Sequence, residues 1–205
     1  MKIAIIGSGN VGGTLAQQFI NAGHTVLMGA RFPLSEKSMA LAAKIGEDRF
    51  ATVGSAVKQC DVIVLAGPAQ MAADIARSLG DVSNKIIIDT MNAVFMKPDG
   101  YSNTADAILA NCNCTDLVKC FNTTGFENMA DPVYNGAGID MFVAGDSEKA
   151  KLAAMQLAKE IGFAECYDFG GNDKFFAIEQ LAFAWINLAI LQKQGRGMAF
   201  KILKR

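Results

Sequence analysis

The chain is poor in the residues that most enzymes use for proton transfer and metal binding. It has one histidine in 205 residues, one tryptophan and four prolines, and its five cysteines form no C-x-x-C pair. One histidine is too few for a zinc site, and an odd number of scattered thiols reads as reduced cysteines of a cytoplasmic protein, not as a disulfide framework. Charge of one sign is lacking too. Nineteen Lys and Arg against twenty Asp and Glu leave a net charge of −1. Such a chain has no basic surplus to neutralise a phosphate backbone, so nucleic acid is not an expected partner. The first apolar run, Ile3 to Ile6, ends in glycine and is too short for a signal peptide or a membrane span, so a soluble protein with no membrane partner is expected. There is no G-x-S-x-G elbow and no P-loop. Ser8 has no second histidine to activate it, and His24 reads as a residue just past a helix C-terminus.

What is present is a hydrophobic content of 51% and twenty glycines, enough for one well-buried core with many tight strand-to-helix turns. Strand and helix signals alternate. Lys2 to Ile6, Thr25 to Met28, Phe50 to Val53, Asp61 to Ala66 and Lys85 to Asp89 read as strands. Between them, helical spacing is found over Val11 to Ala22, from a Ser35 cap to Ile45, and over Met71 to Leu79. The runs DVIVLA and KIIID are apolar throughout, as in strands covered on both faces. Further strands are expected over Leu117 to Phe121, Met141 to Ala144 and Glu165 to Phe169. Helices are expected over Ser147 to Ile161, Phe175 to Gln194 and Met198 to Leu203. This is the pattern of an α/β Rossmann fold, doubly wound, with a mainly parallel sheet and a small C-terminal helical extension. A single domain over 1–205 is expected, with a dinucleotide-binding core at 1–112 and a smaller part at 113–205 that closes the cleft. The helix at 175–194 is apolar nearly all round and must be covered. Either a homodimer contact covers it, as expected here, or it packs on its own sheet alone.

Gly7-Ser8-Gly9-Asn10-Val11-Gly12 fits G-x-G-x-x-G directly after a strand and at the start of an amphipathic helix, the context that gives the motif its meaning. Gly7 permits the turn, Gly9 lets a pyrophosphate approach the backbone, and Gly12 lets helix and strand pack closely. The helix N-terminus offers the phosphates free N–H groups. At the end of the second strand, Met28-Gly29-Ala30-Arg31-Phe32 holds no carboxylate for ribose hydroxyls. A 2′-phosphate would not be repelled there, and Arg31 has the shape and charge to pair with it, with Ser35 and Lys37 as helpers. NADP is therefore the expected cofactor, although Arg31 also has a plain reading as a surface residue.

Two loops after later strands should face the ribose and nicotinamide: Ala66-Gly67-Pro68-Ala69-Gln70, and Asn122-Thr123-Thr124-Gly125, whose polar groups suit a carboxamide. Thr90, Met91 and Asn92 contribute a third segment. Each polar group among them is equally suited to stabilising its own turn. With no acid–base pair in sight, the expected chemistry is hydride transfer governed by placing two rings face to face.

Three segments are more particular: Gly29-Ala30-Arg31, Val118-Lys119-Cys120-Phe121-Asn122-Thr123-Thr124, and Gly195-Arg196-Gly197-Met198-Ala199-Phe200. With the glycine turn, they make the chain similar over nearly its whole length to the coenzyme F420-dependent NADP oxidoreductases. They also make it similar to the cytosolic NADPH domain of the STEAP ferric reductases. The resemblance implies pyrophosphate on Gly7, Gly9, Asn10, Val11 and Gly12, and the 2′-phosphate on Ala30 and Arg31. It also implies nicotinamide bordered by Pro68 and Asn122 to Thr124, and a deazaflavin (coenzyme F420) or flavin co-substrate against it. Two other functions fit the same motifs. One is a small-metabolite dehydrogenase or imine reductase. The other is a non-catalytic NADP sensor with its nicotinamide face blocked by Phe126, Met129 or Trp185.

Overall fold

The structure, a computed structural model, describes residues 1–30, 32 and 35–205, with Lys37 described for its main chain alone. The chain alternates strictly at first. β1 (Lys2–Ile6) leads to α1 (Asn10–Asn21), β2 (Thr25–Ala30), α2 (Glu36–Ile45), β3 (Phe50–Thr52), α3 (Val53–Gln59), β4 (Val62–Leu65), α4 (Ala72–Ser78) and β5 (Ile86–Asp89). There follow α5 (Thr104–Leu109), β6 (Asp116–Cys120), α6 (Phe126–Ala130) and a small hairpin of β7 (Val133–Tyr134) and β8 (Ala137–Gly138). The chain continues through β9 (Asp140–Ala144), α7 (Glu148–Glu160), β10 (Glu165–Gly170) and α8 (Phe175–Ile186), which runs on as a π turn over Asn187–Leu191.

One sheet of eight strands runs in the order β10-β9-β6-β5-β4-β1-β2-β3. Neighbours are parallel except β6 and β9, so β9 and β10 form a parallel pair turned against the rest. The chain winds outward from β1 to β3 and then returns to lay β4 on the other side of β1. The crevice between β1 and β4, at the carboxyl ends of the strands, is where such sheets bind ligands. Strand periodicity explains the two cores. Ile3, Ile5, Val62, Val64 and Ile88 face the layer of α1 and α7. Ala4, Ile6, Ile63, Leu65 and Ile87 face the layer of α3, α4, α5 and α8. Ile5, Ile63 and Ile88 are fully enclosed, and burying such a side chain contributes about 1.5–3 kcal/mol.

α8 covers the second core with Phe175 and Ile178, and the buried Ala182 and Trp185 continue the same face. Its other side leaves Phe176 and, beyond the π turn's start, Leu188, Ile190 and Leu191 exposed. The stretch 172–191 is long and apolar enough to cross a bilayer by length and composition. Here its inner face is packed on the sheet.

The expected helix at Met198 to Leu203 is not formed; the segment is an extended strap. Its main chain is claimed by distant groups. Trp185 Nε1 donates to the Met198 carbonyl at 2.6 Å and Asn128 Nδ2 does so at 2.7 Å. The Asp140 amide donates to the Phe200 carbonyl at 3.2 Å, and the Ile202 amide donates to the Asp140 carboxylate at 2.7 Å. A helix would have to give up all of these.

Candidate functional site

The turn from β1 to α1 is held in place by close approach. Gly7 has φ +125°, and a Cβ there would lie 2.4 Å from the Ala66 carbonyl oxygen; a Cβ on Gly12 would lie 2.0 Å from the Gly7 carbonyl oxygen. Neither position tolerates a side chain. Gly9 is different: a Cβ there would meet nothing within 4 Å. The space is open on the side from which a ligand would approach. Ser35, Thr52, Asn103 and Ser147 cap helices α2, α3, α5 and α7 with their side chains, whereas Gly9 brings no cap to α1 and its first turn has no acidic residue. The first N–H groups of α1 are thus left for an anion.

Ser8 lies on the ridge between two clefts. One, of about 530 Å³, is lined by Gly7, Ala30, Phe32, Ser35, Thr52 and Gly54, with Gly67 and Pro68 on its far wall. This volume is within the range, roughly 300–1,000 Å³, of small-molecule sites. The other, of about 460 Å³, runs past Gly9, Asn10 and Thr14 toward Phe126. Val11, Gly12 and Ala66 line neither cleft; Ala66 supports the turn from below. Ser35 shapes the first cleft without offering it a free hydroxyl. Its Oγ accepts from the Ser38 amide at 3.3 Å and donates to Ser38 Oγ at 3.0 Å. Arg31, expected to read a 2′-phosphate, lies outside the described residues, as does the Lys37 side chain.

The loops after β5 and β6 are built differently, and they line neither of these clefts. Phe121, wholly buried between Phe19 and Phe163, adopts φ +58°, a conformation costly for a residue with a side chain. It turns the chain into Asn122, which is 3% exposed. Asn92 Nδ2 donates to the Asn122 main-chain carbonyl at 2.7 Å, and Asn122 Nδ2 donates to Asn92 Oδ1 at 3.0 Å. A main-chain carbonyl only accepts, so the first bond fixes the orientation of the Asn92 amide, and that fixes the orientation of Asn122. Asn122 Oδ1 is then left without a donor; among the described residues it is the buried side-chain atom with no partner. Such an acceptor calls for a ligand N–H. Thr123 and Thr124, expected beside it, are otherwise engaged. The Thr123 hydroxyl contacts Met141 Sδ at 3.6 Å inside the core, and Thr124 Oγ1 accepts from Asn128 at 2.7 Å.

Beneath these loops lies a feature the sequence reading did not single out. Lys119 on β6 is fully buried, and its Nζ lies 2.6 Å from Asp89 Oδ2 at the end of β5 and 2.8 Å from Glu179 Oε1 on α8. It also donates to the Met91 carbonyl at 2.8 Å and reaches Thr104 Oγ1 at 2.7 Å. The signal was a lysine inside an apolar strand and a glutamate inside an apolar helix. Their partnership needs the fold.

Of the groups suggested as blocking a nicotinamide face, Met129 is in the core and Trp185 is 4% exposed, its ring packed where a Gly125 Cβ would fall. Phe126 remains partly open and is covered on one side by Arg196, 5.5 Å from the ring centroid. Arg196 also lies 5.4 Å over Trp185 and pairs through two nitrogens with Glu127. That guanidinium holds the Glu127 carboxyl below its ordinary range. His24 is at the opposite edge of the sheet, 2.8 Å from Glu160.

The comparisons with known proteins agree with this fold. A candidate F420-dependent NADP reductase from Arthrobacter sp. FB24 shares the fold over the whole of both chains, with a TM-score of 0.86 at 23% identity. A hypothetical protein from Sinorhizobium meliloti matches all of this chain and 96% of its own, with a TM-score of 0.73 at 23% identity. A pyrroline-5-carboxylate reductase from Coxiella burnetii is similar over 91% of this chain and 66% of its own, with a TM-score of 0.66 at 16% identity. Residues 2–93 match the family described as NADP oxidoreductase, coenzyme F420-dependent. That segment, which holds the glycine turn, the β4 loop and Asn92, is where the chain is similar to the coenzyme F420-dependent NADP oxidoreductases.

Proposed function

We propose that the protein binds NADP(H) across the β1–β4 crevice and serves hydride transfer between its nicotinamide and a flat flavin-like co-substrate, a deazaflavin by kinship. The observation that carries this reading is the pairing of an uncapped, acid-free α1 N-terminus over the open face of Gly9 with the donorless Asn122 Oδ1 three strands away. One end suits a pyrophosphate and the other suits a carboxamide NH2. The residues fit the cofactor. Gly7 to Gly12 would hold the diphosphate, the cleft of Ala30, Phe32 and Ser35 the adenosine, with Arg31 on its 2′-phosphate, and Pro68, Asn92 and Asn122 the nicotinamide side. When bound, NADPH supplies the hydride. The chain's part is to hold the ring in one orientation and keep water from it. No histidine stands at this edge, and the Lys119 cluster is enclosed. That suits a reaction whose acceptor takes its proton from solvent.

The protein is further proposed to be a soluble cytoplasmic homodimer that pairs through the exposed Phe176, Leu188, Ile190 and Leu191. Light scattering would then give twice the 21.8 kDa of one chain. The activity is tested by following loss of NADPH absorbance with deazaflavin, FMN and FAD in turn. Oxidation is expected with at least one of them, and fastest with the deazaflavin. Binding of NADPH with no turnover by any of the three would make the protein a sensor and overturn the enzymatic reading.

A further inference from the structure

We propose that the buried Lys119–Asp89–Glu179 cluster sets the balance between the two redox forms of the bound cofactor, favouring the cationic, oxidised nicotinamide. The inference rests on the proposed placement of nicotinamide beside the loops after β5 and β6.

The charge of the cluster follows from its hydrogen bonds. Asp89 receives Lys119 Nζ, the Thr104 hydroxyl and the Met91 amide, the last at 2.9 Å. Glu179 receives Lys119, the Thr104 amide at 3.3 Å and the Ala93 amide at 3.1 Å. Every main-chain partner of the two carboxylates there is a donor, the arrangement that matches their ionised forms. One ammonium faces two carboxylates, and among the described residues no second cation pairs with either. With all three groups ionised the cluster carries −1, and it is enclosed.

Its position gives that charge a target. Met91 bonds to the cluster through both its amide and its carbonyl, and Ala93 through its amide. Asn92, held between them, is the residue that fixes Asn122. The negative charge therefore lies directly under the loop that would border the nicotinamide. When NADPH gives a hydride to the acceptor, two electrons leave with the hydrogen nucleus and the ring passes from neutral to +1. A fixed anion below the ring stabilises the second state more than the first. Buried charges are little screened by salt, so the effect persists at physiological ionic strength. For one unit charge at ring distance in a medium of intermediate dielectric constant, the preference is roughly three- to twentyfold in affinity.

A purely structural role for the cluster would move the affinities of NADP+ and NADPH together, because the two share every phosphate and ribose contact. The test is therefore the ratio of their dissociation constants, measured by calorimetry. In the wild-type protein, NADP+ should bind at least as tightly as NADPH. Glu179→Gln and Asp89→Asn each remove one negative charge from a different element. Each should raise Kd for NADP+ relative to NADPH by roughly three- to twentyfold. Glu179→Asp keeps the charge and shortens the reach, and should leave the ratio within about twofold of wild type. Adenosine 2′,5′-bisphosphate, which has no nicotinamide, reports that each variant is folded. An unchanged ratio in the Gln or Asn variant that still binds this fragment overturns the proposal. So does a wild-type protein that binds NADPH more tightly, which keeps the test decisive if neither variant folds. Asn122→Ala separates the two levels of inference. If it weakens NADPH binding while Glu179→Gln and Asp89→Asn leave the ratio unchanged, the electrostatic inference alone fails. If it too changes nothing, the placement of the nicotinamide fails.

Discussion

The two ends of the sheet's carboxyl edge achieve rigidity by opposite means. At β1–α1 the chain is shaped by missing side chains. Gly7 and Gly12 let main chains touch, Gly9 leaves space, and the helix end is uncapped. At β5 and β6 the chain is shaped by side chains that rarely go inside. Lys119, Asp89 and Glu179 are enclosed, and Asn92 locks Asn122. The difference matches what each end would face. A diphosphate presents many oxygens and is best met by main-chain N–H groups at close range. A carboxamide presents one donor pair and one acceptor, and orienting it takes a side chain that cannot turn over. On the proposed reading the first end is open because a diphosphate would bring its own charge. On the same reading the second is held firmly because a nicotinamide that tilts would not transfer hydride.

The comparison is broken most severely at the glycines. Gly12→Ala places a methyl where the Gly7 carbonyl already stands, 2.0 Å away, so β1, α1 and the Ala66 loop must all shift. Loss of several kcal/mol of stability is expected, with nucleotide binding gone, since overpacking alone costs about 1–3 kcal/mol and this contact is main chain to main chain. Gly9→Ala is the contrasting variant. Its methyl meets nothing in the protein, so the melting temperature should stay within a degree or two, a change of under about 0.5 kcal/mol. NADPH affinity should still fall, because the methyl stands where a phosphate must approach. Thermal unfolding and calorimetry on the two variants check this. Equal melting losses would mean that the turn is packing and not a phosphate cradle.

Two smaller losses compare the ends directly. Arg31→Ala should cost NADP(H) about 1.5–3 kcal/mol, the worth of a charge-assisted contact, and leave NAD(H) nearly unchanged. Equal losses for both cofactors would show that Arg31 does not read a 2′-phosphate. Asn122→Ala should cost about 1 kcal/mol, roughly fivefold in Kd, for both NADPH and NADH, with adenosine 2′,5′-bisphosphate unaffected. Loss of affinity for the bisphosphate as well would place Asn122 in the packing, not at the nicotinamide.

The glycine-turn end of the sheet's carboxyl edge is legible in the sequence and the Asn92–Asn122 end only in part, for a physical reason. A glycine turn and a Ser35 cap are local: each is decided by residues within a few positions of one another, so spacing reveals them. The apolar runs of β4 and β5 are visible because burial on both faces removes all alternation. The Lys119 cluster joins residues 30 and 60 positions apart, and no spacing rule relates them. The same holds for the C-terminal strap. Residues 198–203 look helical by themselves, but their main chain bonds to Asn128, Asp140 and Trp185. α3 and α5, seven and six residues long, have no counterpart among the helices expected from spacing. The hydroxyls of Thr123 and Thr124 were assigned to the site, yet they serve the core and Asn128.

The smallest expected effect concerns the strap and uses the single tryptophan as its reporter. Arg196 sits over Trp185 and is held there by Glu127, at 2.5 and 2.9 Å. The hydrogen bond from that guanidinium lowers the Glu127 carboxyl below its ordinary value. A lowered carboxylate contributes stability above its unfolded pKa, near about 4.3, and loses it as pH falls through the lower folded value. Both side chains are about two-fifths exposed, so solvent screens the pair and its worth is under about 1 kcal/mol. Acidification below about pH 4.3 should therefore release Arg196 and change Trp185 emission before the sheet unfolds. Glu127→Gln cannot titrate, and its emission should be flat over that interval and already resemble the acid form. An identical acid transition in wild type and variant would show that the strap is held by Asn128 and Trp185 through Met198 alone, and that the ion pair is incidental to it.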